Sequence, residues 1–339
     1  MIVDYKDLDD EYIFIDVRTP DEYYDGTIGT AYNIPLFSNE ERADVGTAYK
    51  KESVEKAKKM AIEAVAKKLP DIYDRATWVL KCHKKVALFC ARGGMRSQTI
   101  GSLLNAMGFD VKVINGGYKG YRNTVIEETN ELAENMKFIV LHGNTGVGKT
   151  HILTRLKSMG IPIMDIEGLA KHRGSLLGKV GIKEIVTQKN FEHEIYMNLK
   201  LNTKGYVLVE AESRRLGTVL VPESVMQSMA AGEHVLVSAD IEFRADIIVA
   251  EYIQSEENFD QILGLIHMFK KQIGDAGVKA LKALMDEKEY REVAKRLMLD
   301  YYDPQYMHKA KDYDYALTVD VKDIKEASDE IKEFVEKNY

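Results

Sequence analysis

At 339 residues the chain has room for two domains at about 150 residues each, and its 45% hydrophobic and 30% charged residues exclude a disordered polymer. No apolar run reaches the about 18 residues of a membrane helix, the acidic start Met1-Ile2-Val3-Asp4 lacks the basic flank and apolar stretch of a secretory leader, and two cysteines, Cys82 and Cys90, exclude a disulfide-stapled fold, so the expectation is a cytoplasmic protein with no membrane partner. The net charge of −7 argues against a broadly basic, DNA-binding protein, while local Lys/Arg patches leave RNA open as a partner.

Tyr12-Ile13-Phe14-Ile15-Asp16-Val17-Arg18 is a β-rich apolar run that reads as a buried parallel strand. Thr19 is the expected N-cap of the next helix, with Pro20 at its first position. From about Ser38 to Lys81, Lys, Glu and Ala dominate, with Met60, Ala64 and Leu69 at helical spacing, which predicts a helical insertion. Lys85 to Phe89 is a second buried strand. A helix follows through about Met107, with Gly108 at its C-cap, and Val111 to Ile114 is a third strand. Thr124 to Asn135 is a charged helical stretch that reads as the connector between residues 1–123 and 137–339. Beyond it, strands are expected at 138–142, 161–165, 206–210, 234–237 and 316–319, several helices between Ile241 and Tyr302, and a last helix from about Lys322. Strands alternating with helices predict two α/β domains with parallel sheets, the second carrying helical additions.

Cys90 follows a buried strand and opens Cys90-Ala91-Arg92-Gly93-Gly94-Met95-Arg96-Ser97. Amides at the start of the following helix lower a thiol pKa and hold an anion. Arg92 and Arg96 add positive charge, and Gly93 and Gly94 let the backbone curl around the sulfur. Such a thiolate is a nucleophile that can carry sulfur or selenium as an anionic adduct. Charged loops do not belong in cores, which separates Cys90 from Cys82, whose surroundings read as structural.

These features resemble the rhodanese-like, or sulfurtransferase, domain. The resemblance rests on Asp16-Val17-Arg18, Glu22-Tyr23, Gly26 to Pro35, the Cys90 loop and Val113-Ile114-Asn115-Gly116-Gly117-Tyr118, across most of residues 1–123. Where that family often has Gly-His-Ile, this chain has Gly26-Thr27-Ile28. The resemblance implies a six-residue loop that suits sulfur or selenium carriers.

Gly143-Asn144-Thr145-Gly146-Val147-Gly148-Lys149-Thr150 fits G-x-x-x-x-G-K-[ST] in full, after a predicted strand and before a predicted helix. Its amides would wrap a diphosphate, Lys149 would neutralise the terminal phosphate, and Thr150 would reach a Mg²⁺ ion. Asp165 or Glu212 could supply the acidic Mg²⁺ partner, and Arg173 and Arg214 could clamp phosphate oxygens. The basic run Lys270, Lys271, Lys279, Lys282, Arg291, Lys295 and Arg296 reads either as a solvated helix face or as a patch for RNA phosphates.

The whole chain resembles the tRNA 2-selenouridine synthase family, which joins a rhodanese-like domain to a phosphate-loop domain. Besides the two loops, the matching segments are Asn115 to Arg122, Glu167 to Ser175, Gln188 to Glu192, Glu210 to Ser213 and Tyr301 to Tyr306. Two departures are Ala91, where the family commonly has tryptophan, and Glu184-Ile185-Val186-Thr187, where it often has Gln-Pro-Ser. The resemblance implies a tRNA partner, geranyl diphosphate and selenophosphate as co-substrates, and an enzyme supplying selenophosphate as a second partner. It implies that geranyl diphosphate alkylates the sulfur of a wobble 5-substituted 2-thiouridine, and that selenium from selenophosphate then replaces the S-geranyl group. Lys149 and Thr150 would serve the first step and Cys90 the second. Two other classes stay open from the residues: a sulfurtransferase coupled to ATP hydrolysis, and a non-enzymatic nucleotide-dependent binding module.

Overall fold

The structure, a computed structural model, describes residues 1–305 and 313–339; Tyr306 of the segment cited above lies outside them. The chain forms two compact units, Met1–Glu128 and Thr129–Tyr339.

The first unit contains β1 (Ile2–Val3), β2 (Ile13–Asp16), α1 (Pro20–Tyr24), β3 (Tyr32–Asn33), α2 (Asn39–Lys51), α3 (Val54–Cys82), β4 (Val86–Phe89), α4 (Met95–Ala106), β5 (Val111–Ile114) and the start of α5 (Gly117–Asn135). Its strands pair in parallel in the order β1-β5-β4-β2-β3. The central strand β4 is buried along its whole length, as an apolar strand covered on both faces must be. The expected N-cap holds: the Thr19 hydroxyl accepts from the Glu22 amide while the Glu22 carboxylate accepts from the Thr19 amide. The helical insertion is α2 and α3, and Ile72, Ala76 and Val79 of α3 complete the core around Ile15, Leu88 and Ile100. Each fully buried Leu or Ile there contributes roughly 1.5–3 kcal/mol.

The connector differs from the expectation. α5 starts at Gly117, directly after β5, and runs through Asn135 without a break. Tyr118, Tyr121, Val125 and Ala133 along it are buried, so it has the anchors that the charge-rich sequence hid. The short edge strands β1 and β3 were not legible either, because two residues carry no periodicity.

The second unit runs β6 (Lys137–His142), α6 (Lys149–Ser158), β7 (Ile163–Met164), α7 (Ile166–Ala170), α8 (Gln188–Lys200), β8 (Tyr206–Glu210), β9 (Arg215–Leu216), β10 (Val219–Leu220), α9 (Glu223–Ala230), β11 (Glu233–Ser238) and α10 (Ile241–Tyr252). It continues through α11 (Glu256–Leu265), α12 (Lys270–Asp286), α13 (Tyr290–Leu297), β12 (Tyr315–Asp320) and α14 (Ile324–Asn338). β12-β11-β6-β8-β7 form a parallel sheet, and β9 and β10 a small antiparallel pair. Helices on both faces bury the sheet in two apolar clusters, one under α6 and α14, the other under α8 and α9. α10 to α13 build a separate helical core around Ile266, Phe269, Leu281 and Met285. No helix among the described residues is long and apolar enough to cross a membrane.

Candidate functional sites: a thiol loop and a phosphate loop

In parallel α/β sheets, ligands gather at the carboxyl ends of the strands. Cys90 is the first residue past β4, and its carbonyl accepts from the Tyr118 amide at 2.8 Å, tying its loop to the start of α5. The residue is 3% exposed. Burial pushes its thiol pKa up, but the Ser97 hydroxyl, the backbone amides of Ser97 and Arg92 and the charge of Arg96 outweigh that and leave it below the ordinary thiol range. The Ser97 hydroxyl lies 3.2 Å from Cys90 Sγ. Ser97 is the functional side chain that site prediction missed; its signal was its place in the first turn of the helix after Cys90.

Gly93 sits at φ +65°, and a Cβ there would lie 2.7 Å from the Ile114 carbonyl oxygen and 2.8 Å from the Gly116 nitrogen. Gly117, at φ +57°, would put a Cβ 2.2 Å from the Cys90 carbonyl oxygen. The two glycines interlock the thiol loop with the loop after β5. Gly94 differs from the expectation: its φ is −92° and a Cβ meets nothing within 4 Å, so the fold itself does not demand glycine there. Arg92 is exposed. Arg96 is held by Glu22, with N–O distances of 2.6 and 3.2 Å, so its charge reaches the sulfur while its fork is engaged elsewhere.

A buried ion pair braces this unit. Arg18 binds Asp16 at 2.6 Å, donates to the Gly26 carbonyl at 2.5 Å, and lies 3.9 Å over the Tyr118 ring. Thr27, standing where the resembling family often has histidine, donates to Asp16 at 3.0 Å. A small hydroxyl thus satisfies the buried carboxylate.

In the second unit, residues 143–148 curl from β6 into α6. Gly146 and Gly148 have φ of +85° and +86°, and a Cβ at Gly146 would lie 2.8 Å from the Arg244 carbonyl oxygen. Val147 points into the core, and Asn144 contributes its backbone carbonyl. Lys149 donates to the Gly143 carbonyl at 2.6 Å, curled back over the loop. Arg244 was missed by sequence reading. It is buried, donates to the Thr145 carbonyl at 2.9 Å, and forms a bidentate pair with Asp303 at 2.6 and 2.9 Å. That brace ties the loop to Asp303 of the Tyr301 to Tyr306 segment.

Asp165 follows β7, Glu210 ends β8, and Glu167 and Glu212 flank them. With Lys149, Thr150 and Arg173, the residues Asp165, Glu167 and Glu212 line a cleft of about 900 Å³. The Asp165 carboxylate also caps α7 by accepting from the Gly168 amide at 2.8 Å. Glu167 is pushed far above the carboxylate range by burial and by Glu210 and Glu212. Glu210 is raised by burial and by Asp165, although the Glu167 amide donates to it at 3.0 Å. Its Oε2 is buried without a partner. Among the described residues, no three His, Cys, Asp or Glu side chains converge as a metal cage.

Arg173 reaches this cleft, stacked 5.0 Å from the Tyr252 ring, with Nη1 donating to the Val180 carbonyl at 2.7 Å. Arg214 does not line it. It pairs with Glu223 at 2.6 Å at the surface, and its neighbour Arg215 lines the cleft instead. Period-two alternation around β9 explains the exchange: adjacent side chains face opposite ways. In the basic run, Arg291 and Lys295 pair with Glu242, Arg291 also with Asp246, and Arg296 with Glu292. Those partners favour the solvated-face reading at these positions.

Comparison with known proteins agrees with this division. Residues 136–338 match the family model of the tRNA 2-selenouridine synthase AAA domain, and residues 4–124 match the rhodanese-like domain. A protein named tRNA 2-selenouridine synthase from Nitrosomonas eutropha (strain DSM 101675 / C91 / Nm57) is 36% identical over 246 residues, covering 70% of this chain and 62% of the relative. One of the same name from Nitrosomonas europaea (strain ATCC 19718 / CIP 103999 / KCTC 2705 / NBRC 14298) is 37% identical over 245 residues, covering 70% and 63%. The matched region thus spans less than two thirds of the length of these relatives. A crystallised N-terminal domain from Clostridium difficile 630 is 40% identical, covering 37% of this chain and 98% of its own, with a TM-score of 0.36. With a rhodanese-like unit followed by this AAA domain over more than half of its length, the chain belongs to the tRNA 2-selenouridine synthase family.

Proposed function

We propose that this chain is a transferase acting on tRNA, which converts a wobble 5-substituted 2-thiouridine to 2-selenouridine through an S-geranyl intermediate. The observation that carries the reading is the presence on one chain of two sites with different chemistry: an acidified thiol in an amide-lined loop and a phosphate loop faced by carboxylates. The names of the two Nitrosomonas relatives support it.

In the first step the 2-thio sulfur attacks C1 of geranyl diphosphate, the C–O bond breaks, and pyrophosphate leaves. The amides of residues 143–149 and the Lys149 ammonium face the charge that grows on the diphosphate. Arg173, on the cleft wall, supplies a second cation. Mg²⁺ fits the carboxylate side, because Asp165, Glu167 and Glu212 line the cleft with Thr150, and Glu167 and Glu212 crowd one another. Mg²⁺ commonly needs one or two carboxylates besides phosphate oxygens and water, and Thr150, Asp165 and Glu212 would hold it. When bound, the ion would screen the charge of the departing diphosphate.

In the second step, selenium of selenophosphate adds to C2 and the C2–S bond breaks with loss of geranylthiol. Water then takes the phosphoryl group as phosphate. The Cys90 loop is assigned to this step, with its amides and Arg92 holding the anionic donor. An enzyme that makes selenophosphate is the implied supplier. The test is nucleoside mass analysis of thiolated tRNA incubated with the protein, geranyl diphosphate, selenophosphate and Mg²⁺. Successive S-geranyl-2-thiouridine and 2-selenouridine are expected. Untouched 2-thiouridine while ATP or thiosulfate is consumed would overturn the reading in favour of a sulfurtransferase–ATPase.

A further inference from the structure

The helical insertion of the first unit is charged against the trend of the chain. Residues 50–85 hold eleven Lys and Arg against five Asp and Glu, a formal +6 in a chain whose net charge is −7. Little of this insertion serves as core: Ala48 is the one buried residue of α2, and Ala57 the one buried residue between Val54 and Leu69 of α3. Nearby carboxylates take up Lys56, Lys68, Arg75 and Lys85. Lys58, Lys59, Lys67, Lys81 and Lys84 are exposed and form no ion pair among the described residues. That sets them apart from Arg291, Lys295 and Arg296, which have acidic partners. At 3.6 residues per turn, Lys59, Lys67, Trp78 and Lys81 fall on one side of α3, opposite the buried Ile72, Ala76 and Val79, along about 33 Å of helix. Glu63 and Asp74 share that side and leave it net positive. Trp78 is the chain's single tryptophan and is 56% exposed. Tyr32 packs on it at 5.8 Å with the ring planes 82° apart, and the Tyr32 hydroxyl lies 3.3 Å from His83 Nε2. The indole is thus propped by a neighbour and still open to solvent.

We propose that this outer side of α3 is a docking surface for the tRNA, with Lys59, Lys67 and Lys81 on backbone phosphates and Trp78 stacked on an unpaired base. The inference rests on the reading of tRNA as substrate given above and deepens it by naming a surface. Lysines that neutralise phosphates release the counterions condensed on the nucleic acid, and this supplies affinity without reading sequence. A solvated charged face needs no exposed indole. Single-stranded RNA uses one, because unpaired bases stack on aromatic side chains, each stack strengthening binding by about 5- to 150-fold. An acidic polypeptide would match the lysines but, being poor in aromatic residues, would leave the indole uncovered. RNA answers both features at once.

The test titrates the full chain with bulk tRNA, following the emission of Trp78, which no other tryptophan obscures, and the anisotropy of end-labelled tRNA. The tRNA should quench the emission saturably. The triple variant Lys59→Gln, Lys67→Gln, Lys81→Gln should bind at least tenfold more weakly, with the slope of log affinity against log salt reduced by about two to three. A variant that removes three exposed charges elsewhere, Lys270→Gln, Arg291→Gln, Arg296→Gln, should bind within twofold of the parent. Trp78→Ala should lose at least fivefold in affinity and Trp78→Phe should recover most of it, all in proteins that melt as the parent does. Binding of tRNA with unquenched emission, or equal losses in the two triple variants, would overturn the surface and leave the tRNA reading standing. Quenching by poly-glutamate but not by tRNA would make this a protein-docking face and overturn the proposal. Failure of the parent chain to bind tRNA in either signal would overturn the substrate reading as well.

Discussion

Replacing Ser97 by alanine removes the hydroxyl that lies 3.2 Å from Cys90 Sγ, a contact that favours the thiolate. Burial then has less opposing it, so the thiol pKa should rise. The pH profile of Cys90 alkylation, followed by peptide mass, should shift upward in Ser97→Ala, while that of Cys82 stays in place. A coincident profile would show that the hydroxyl does not tune the sulfur. The two loop glycines separate just as cleanly. Gly93→Ala forces a Cβ against three backbone atoms within 3 Å and should destabilise the protein by about 2 kcal/mol or more. Gly94→Ala should cost less than about 1 kcal/mol, because the space beside it is open. Denaturant titration distinguishes the two, and equal losses would contradict the interlock. Cys90 and its loop were legible because charge, glycine and a strand end coincide in eight residues. Which glycine is sterically required was not, since it depends on the loop after β5, more than twenty residues away in the chain.

At the scale of elements, the phosphate loop is set by β6 and α6 but steadied from α10. The buried Arg244 joins the Thr145 carbonyl to Asp303. Removing one partner of a buried pair leaves an uncompensated charge and costs roughly 3–5 kcal/mol. Arg244→Met should therefore lower the melting temperature and weaken pyrophosphate binding at least tenfold. Arg244→Lys should recover little, because a single ammonium does not replace the bidentate fork. Unchanged pyrophosphate affinity would show that the loop holds its shape without the brace. The strand ends β7 and β8 carry a pH signature. Glu210 and Glu167 have carboxyl groups raised above the unfolded value of about 4.3. The folded state keeps a proton that the unfolded state has lost, so this stability is full below the unfolded value and is lost as pH rises through the raised one. Without ligand, the melting temperature should fall between about pH 6 and pH 9. Glu210→Gln, which retains the acceptor for the Glu167 amide, should flatten that fall. Parallel curves for the two proteins would refute the carboxylate origin. The eight-residue phosphate motif and the strands around it were readable as pattern. The Arg244–Asp303 brace was not, because it joins residues 59 apart whose pairing only the helical packing creates.

For the whole molecule, the order of the two units was legible because each carries a local, self-contained loop motif. The helical additions were legible only as helices. Their apolar positions all read as core in the sequence, and the small cavity beside Thr145 arises from how α10, α12 and α13 meet. The basic run shows the converse: its charges stand out in sequence, yet Glu242 and Asp246 of α10 take up part of them. The central claim is that the two loops serve successive steps on one nucleoside. The most direct measurement is nucleoside mass analysis of thiolated tRNA incubated with geranyl diphosphate, selenophosphate, Mg²⁺ and either Cys90→Ala or Lys149→Ala protein. Cys90→Ala should accumulate S-geranyl-2-thiouridine and make almost no 2-selenouridine, while Lys149→Ala should leave 2-thiouridine unchanged. Formation of 2-selenouridine by Cys90→Ala at the rate of the unmodified chain would contradict the account.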